Sequence, residues 1–447
     1  MSDIPNLPSE FNYSRKKSTT MPTIQPFYKR YNADVTSVLP SGEFKFSIPP
    51  AQFTHFLPTD SYVGGILNFT VDNGGIVSVD GSAFSLFEKG RVTQGGILLD
   101  EISVGYGKLL HVINDCTRNY TDRQNDSIHL LAQSTAVLGT NASLGAYLTS
   151  LNGVNGTNAT YALPFAFVIP SSLLGSMADY ATPLGWMSAG NIELTFTLAS
   201  QNNMFANYTA GGTITAVSIS DMYFHSKEVK LPANIDQALM RSSMQPDGTI
   251  QIPAYQWRTF YKPSIPASVT SFEERFPITF SSVNFILWWC HNSAAQNSQT
   301  YRSQTSRPHH SINAWQFSIN GELHPPIPID NRSRNIMELA RCYDFLSLSR
   351  GVGILDGTTY MNSADDNLVA SDANTANITH KRTVRGFSLS KTNASGETAF
   401  DGLSLAGSQF SIRCTDKTAV NQVFDLYCAA YIDVIYVIRD GAISVVV

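Results

Sequence analysis

Along most of this chain, apolar and polar residues alternate with a period of two, the signature of strands with one buried face. At 43–48, Phe44, Phe46 and Ile48 alternate with polar partners, and Pro49-Pro50 ends the run. Further strands are expected in the first half at 61–71, 97–106, 163–169, 191–198 and 213–229. In the second half they are expected at 249–253, 276–289, 384–389, 408–413, 425–438 and 442–447. Between them, Asn73-Gly74-Gly75, Asp80-Gly81 and Asp440-Gly441 are turn signals. The run VNFILWW (283–289) is continuously apolar, which predicts burial on both faces.

One stretch breaks the pattern. Trp315, Phe317 and Ile319 alternate with Gln316, Ser318 and Asn320, and Asn320-Gly321 then turns the chain. Pro325, Pro326 and Pro328 follow, so the strand is expected to leave its sheet there. Asn335 with Glu338 reads as a helix start, and Ile336, Leu339, Ala340 and Tyr343 share one helical face. A shorter stripe, Leu109, Val112, Ile113 and Cys116, predicts a helix in the first half. The segment 171–190 reads as an irregular loop with a helical turn, and 230–247 as a linker with one helical turn.

These elements recur in order. Gly42-Glu43-Phe44-Lys45-Phe46 opens one half and Gly248-Thr249-Ile250-Gln251-Ile252 the other; the short helices lie at 108–116 and 335–343. A long polar loop follows each helix, at 117–161 and 347–381. Gly190-Asn191-Ile192-Glu193-Leu194 pairs with Gly407-Ser408-Gln409-Phe410-Ser411, and the last long strands begin near 213 and 424. The offsets are 206, 227, 217 and 211, steady enough to read as one fold used twice. The expected organisation is a basic arm at 1–36, a first sandwich at 37–231, a linker at 232–247 and a second sandwich with a C-terminal strand at 248–447.

Composition sharpens this all-β reading. Only 15% of the 447 residues are charged, against about 25% in an average soluble domain. Neutral polar side chains fill the gap, which suits surfaces that meet other protein. A net charge of −5 argues against a protein that coats nucleic acid over its whole surface. The first 31 residues differ: Arg15, Lys16, Lys17, Lys29 and Arg30 face only Asp3 and Glu10. The five cysteines include no CxxC pair, so neither a disulfide framework nor a zinc site is expected. The start, MSDIPNLPSEF, has neither a basic n-region nor an apolar h-region, so cytosolic synthesis without a signal peptide is expected. No apolar run is long enough to span a membrane.

Reactive constellations are missing. GLSLAG (402–407) has Ala406 where the nucleophile elbow needs glycine, and its surroundings read as strand-loop-strand. Gly351-Val352-Gly353 lacks the third glycine of a nucleotide loop. Adjacent His309 and His310 would point to opposite faces of a strand and read as part of a solvated loop beside Arg302 and Arg307. Glu193 stands alone, and Glu273-Glu274 are neighbours on opposite faces, so no glycosidase pair is present. No catalytic residue, metal site or cofactor is expected. Two basic clusters remain as candidate inter-subunit contacts: Arg332 with Arg334, and Lys381, Arg382 and Arg385 in HKRTVR (380–385).

Several stretches carry a family resemblance: Pro183-Leu184-Gly185-Trp186 with GNIELTFTLA (190–199), the strand 214–229, and FSINGELHPPIPI (317–329) followed by the helix at 335–346. Over about residues 40–440 the chain resembles the double jelly-roll major capsid proteins of tailless icosahedral double-stranded DNA viruses. That group runs from tectiviruses and adenoviruses to virophages and polinton-like viruses, and the pattern is closest to the last two. The resemblance implies two tandem eight-stranded jelly-roll β-sandwiches with short flanking helices and long loops. It implies a homotrimer forming a pseudo-hexagonal capsomer in the virion, with neighbouring capsomers, penton and minor capsid proteins as partners. The long loops would lie on the outer side of the capsomer and the chain start at the inner one. There the candidate inner-surface residues Arg15, Lys16, Lys17, Lys29 and Arg30 would meet genome phosphates, an internal membrane or acidic patches on minor proteins. The alternatives are a secreted tandem β-sandwich lectin or adhesin, and a jelly-roll hydrolase.

Overall fold

In the computed structural model, the described residues are 25–72, 77–118, 129–131, 159–207, 213–298, 303–343, 360, 382–391, 401–418 and 423–447. The first half holds β1 (Gln25–Asn32), β2 (Ser37–Val38), β3 (Glu43–Ile48), β4 (Thr54–Asp72), β5 (Val77–Val79), β6 (Phe87–Gln94) and β7 (Ile97–Ile102). Then come α1 (Tyr106–Thr117), β8 (Ala159–Phe167), β9 (Thr182–Pro183), β10 (Ile192–Leu198), β11 (Phe205–Asn207) and β12 (Thr213–Lys230). After α2 (Ala233–Ser243) the second half runs β13 (Ile250–Ile265), β14 (Phe272–Phe276), β15 (Val283–Asn292), β16 (Ile312–Ile319) and β17 (Glu322–Ile329). It ends with α3 (Arg332–Cys342), β18 (Arg385–Ser388), β19 (Phe410–Lys417), β20 (Phe424–Arg439) and β21 (Ala442–Val446).

Four principal antiparallel sheets result. The first sandwich faces β1-β12-β4-β8 against β3-β10-β6-β7, and the second faces β13-β20-β15-β18 against β14-β19-β16-β17. With the eight principal strands of each half counted in chain order, one sheet runs first-eighth-third-sixth and the other second-seventh-fourth-fifth, in both halves. That order is the jelly roll, and each half places its helix between the fifth and sixth strands.

The structure corrects the expected register of the repeat. β1, assigned to the arm from sequence, is the first strand of the first sandwich, paired along its whole length with β12 from Gln25↔Lys230 to Asn32↔Tyr223. Its counterpart is β13, so the strand starting at 43 answers to the one starting at 272, not to the one at 250. The offsets of helix, seventh strand and eighth strand stand close to those read from sequence: 106 to 332, 192 to 410 and 213 to 424.

Three further expectations change. The strand expected at 276–289 is two strands, with Pro277 in the break, and all ten residues of β15 are buried. Trp288 meets Trp315 of the opposite sheet at 5.2 Å while Phe285, on the other face, stacks on Tyr431 at 4.8 Å. The prolines after Asn320-Gly321 do not end pairing for good: β17 pairs at His324, bulges through 325–328, and returns at Ile329↔Trp315. An edge position tolerates this, and Gln316 Nε2 donates to the bulged carbonyls of Pro325 (2.8 Å) and Pro326 (3.2 Å). The cap of α3 is Asn331, whose Oδ1 accepts the Arg334 N–H at 2.8 Å. Asn335 instead points inward and accepts from Trp315 Nε1 at 2.8 Å.

The expected one-turn linker is the eleven-residue helix α2. Its one buried side chain is Asp236, which accepts from Trp186 Nε1 (3.2 Å) and lies 2.7 Å from His55 Nε2. The segment at 171–190 holds turns and the short β9, with no helix. The long loops at 117–161 and 347–381 fall largely outside the described residues.

Candidate functional site: the junction of the two sandwiches

α1 is buried almost all round. Its apolar stripe, Leu109, Val112 and Cys116, enters the first core, as its spacing predicts. Its polar stripe, Lys108, His111 and Asp115, is buried as well, because the second sandwich's segment 303–310 lies against it. Lys108 Nζ donates to Ser303 O (2.6 Å) and Gln296 Oε1 (3.3 Å). Asp115 pairs with Arg307, and Arg382 adds a second guanidinium at 3.6 Å. Asp80, just before a 3-10 turn (Ala83–Leu86), accepts from the Gln304 N–H (2.7 Å) and Thr305 Oγ1 (2.6 Å). His111 Nε2 bonds Ser85 Oγ at 2.9 Å.

Away from this cluster, β13 sits in the corner between β7 and α1. Gln256 Nε2 donates to Leu99 O (2.7 Å), Arg258 Nη1 to Glu101 O (2.9 Å), and the Val104 N–H to Thr259 Oγ1 (3.3 Å). β21 closes the far end, where Gln94 Oε1 accepts from the Ile443 N–H at 2.8 Å. Buried charges held by partners on two sandwiches fix one relative placement, since removing either side strands the other.

Burial sets the protonation of this junction. It pushes the Lys108 ammonium down to about 8, against the pull of Glu88, Asp80 and Asp425. It holds His291 well below the ordinary histidine value, helped by Lys108, Arg307, His310 and His111. His309 is pushed down to about 3 by burial and then by Arg385. The Cys116 thiol is pushed up to about 12 by burial. All five cysteines are free and buried, and among the described residues no cluster of His, Cys, Asp and Glu could hold a metal ion. Among them, too, no helix is long and apolar enough to cross a membrane.

The sequence-predicted residues scatter. Arg15, Lys16, Lys17 and Lys381 lie outside the described residues. Lys29 and Arg30 belong to a sheet strand and not to an arm. Lys29 Nζ lies over the Tyr31 ring at 4.6 Å, while Arg30 pairs with Asp221 at 2.5 Å and covers Tyr223. Arg332 is exposed at the start of α3, and Arg334 donates to Pro328 O (2.6 Å) and Ile327 O (3.0 Å). Arg382 is turned into the junction, and Arg385 is fully buried, over Trp288 at 4.6 Å and bonded to His309 O. Arg385, 0% exposed, offers no surface to a neighbour. His309, His310 and Arg307, expected in a solvated loop, are 6%, 0% and 0% exposed. Sequence reasoning missed Lys108, His111 and Asp115, whose spacing of three and four puts them on one helical face.

No protein-family model and no curated protein matches the sequence. Solved structures match along nearly the whole chain. The PBCV-1 virus capsid is similar with a TM-score of 0.59 at 13% identity, over 95% of this chain and 97% of that one. The Sputnik virophage structure gives 0.58 at 14%, over 100% and 92%. The mavirus major capsid protein gives 0.52 at 10%, over 100% and 95%. At such identities the likeness is one of fold, and the fold is the double jelly roll.

Proposed function

We propose that this chain is the major capsid protein of an icosahedral virus. Its work is shape and contact: three copies form a capsomer, and capsomers tile the shell with penton and minor capsid proteins. One observation carries the reading. Two complete sandwiches with the same strand order are locked side by side by buried ion pairs, and the solved structures similar in fold along nearly the whole chain include a virus capsid and a virophage. A low charged fraction of 15% fits a surface mostly destined for protein contact. The N-terminal segment, with Arg15, Lys16 and Lys17, is the candidate contact to genome, internal membrane or minor proteins on the inner side. The location is the virion, and no catalytic activity is assigned.

Native mass measurement of the purified chain tests this. A stable species near three times 48.9 kDa, assembling into shells seen by electron microscopy, is the expected result. A monodisperse monomer at micromolar concentration that forms no particles overturns the reading.

A further inference from the structure

Where the two sandwiches of one chain meet, four side chains carry polar atoms that the fold buries and leaves unbonded. Trp289 is 1% exposed, and His291, Gln304 and Arg307 are 0% exposed. Trp289 Nε1, both ring nitrogens of His291, both ends of the Gln304 amide, and Nε and Nη1 of Arg307 have no hydrogen-bond partner among the described residues. Buried polar groups are almost always bonded, so a cluster of such atoms points to a ligand.

Other contacts hold these groups to one patch. Tyr427 of β20 is its floor. Trp289 lies parallel to that ring at 5.9 Å, His291 meets it edge-on at 5.2 Å, and Lys108 Nζ of α1 lies over it at 5.3 Å. Lys108 also bonds Ser303 O, next to Gln304. Gln304 is anchored by its backbone N–H on Asp80, and Arg307 by Nη2 on Asp115, which leaves the Gln304 amide and two Arg307 nitrogens for something else.

The chemistry of the set selects the ligand. Tryptophan and arginine nitrogens only donate, while a neutral histidine and an amide each offer one donor atom and one acceptor. The unbonded atoms are therefore five donors and two acceptors. A water molecule donates as much as it accepts, and a cation finds too few acceptors. A small anion accepts from several donors and needs none in return. The electrostatics agree: the charges acting most on His291 are those of Lys108 and Arg307, and they oppose a proton there, so the local potential is positive. Full burial favours a single charge over a multiple one, because the cost of leaving water rises steeply with charge.

We propose that a small monovalent inorganic anion of the halide class is held at this patch by Arg307, Trp289, Gln304 and His291, and that it fastens the second sandwich to Lys108 on the first. The site lies within one chain, so it stands or falls separately from the capsid reading.

Urea unfolding of the full chain at pH 7 tests it. Sodium chloride or bromide replaces gluconate at constant ionic strength and constant protein concentration. Once halide exceeds half-saturation, the folded-to-unfolded ratio is expected to rise about tenfold for each tenfold in halide. Trp289→Phe and Gln304→Leu each remove donors, and each should move the onset of that rise to roughly tenfold higher halide or beyond. The onset is the readout, so a variant that is also weaker in gluconate still reports. Crystals of the native chain grown in bromide need no variant, and should show an anomalous peak among the four side chains. A native chain indifferent to halide, an onset unchanged in both variants, or ordered water in place of bromide overturns the site.

Discussion

Acid should loosen the junction through histidines that the fold keeps neutral. His291 ends β15 and is faced by Lys108 and His111 of α1, by Arg307 and His310 of segment 303–310, and by Tyr427 of β20. Neither of its ring nitrogens has a hydrogen-bond partner among the described residues, so nothing there welcomes a second proton. His309 lies beside Arg385, and burial with that charge pushes it down to about 3. An unfolded histidine takes its proton near pH 6.5. The folded value is depressed, so the stability gained by keeping the ring neutral is fully present above pH 6.5 and is lost as pH falls towards 3. For His309 alone the loss is about 2 kcal/mol between pH 8 and 5, then about 1.4 kcal/mol per further unit. His291 adds to it in the same direction. Asp100 opposes it, since burial raises its carboxyl and the folded chain takes that proton more readily.

Those amounts are large against the roughly 5–15 kcal/mol that separates most folded domains from unfolded ones. Urea unfolding at pH 8, 7, 6 and 5, at one protein concentration, measures the slope. Concentration must be held because any oligomer shifts the midpoint by mass action. The native chain is expected to lose stability steeply below pH 6.5. His309→Gln should flatten that slope by about 1.4 kcal/mol per pH unit below pH 5.5, and adding His291→Gln should flatten it further. The slope is the readout, so a substitution that also weakens the fold at pH 8 leaves the test intact. Native slopes in both variants would refute the argument.

The remaining predictions concern single contacts. Arg307→Met removes the fully buried cation that pairs with Asp115 and should cost about 3–5 kcal/mol in urea unfolding, with a smaller loss when Asp115→Leu is added, because the buried carboxylate is then removed as well. Asn335→Ala leaves the buried Trp315 Nε1–H without its acceptor and should cost about 1–3 kcal/mol by the same measurement. Asp236→Ala removes the one buried side chain of α2, so limited proteolysis should cut within 231–247 faster and Trp186 fluorescence should shift, while global unfolding changes by about 1–3 kcal/mol.

Local pattern located most strands, because one face of each is apolar whatever it pairs with. It missed β1 because Lys29 shares a face with Tyr31 and lies across its ring, so the strand reads as basic and unpatterned. It gave α2 one turn because only Asp236 is buried on that helix, and a single carboxylate makes no period. The junction was illegible for a different reason. His309, His310 and Arg307 read as solvated because their partners stand on α1, and Arg307 and Asp115 are 192 residues apart. The duplication could be read as order because each half must satisfy the same pairing of eight strands, which constrains spacing and alternation and leaves residue identity free. The contact between halves is under no such shared rule. It joins unlike elements, the edge and loop of one sandwich with the helix of the other, so neither repeat by itself foretells it.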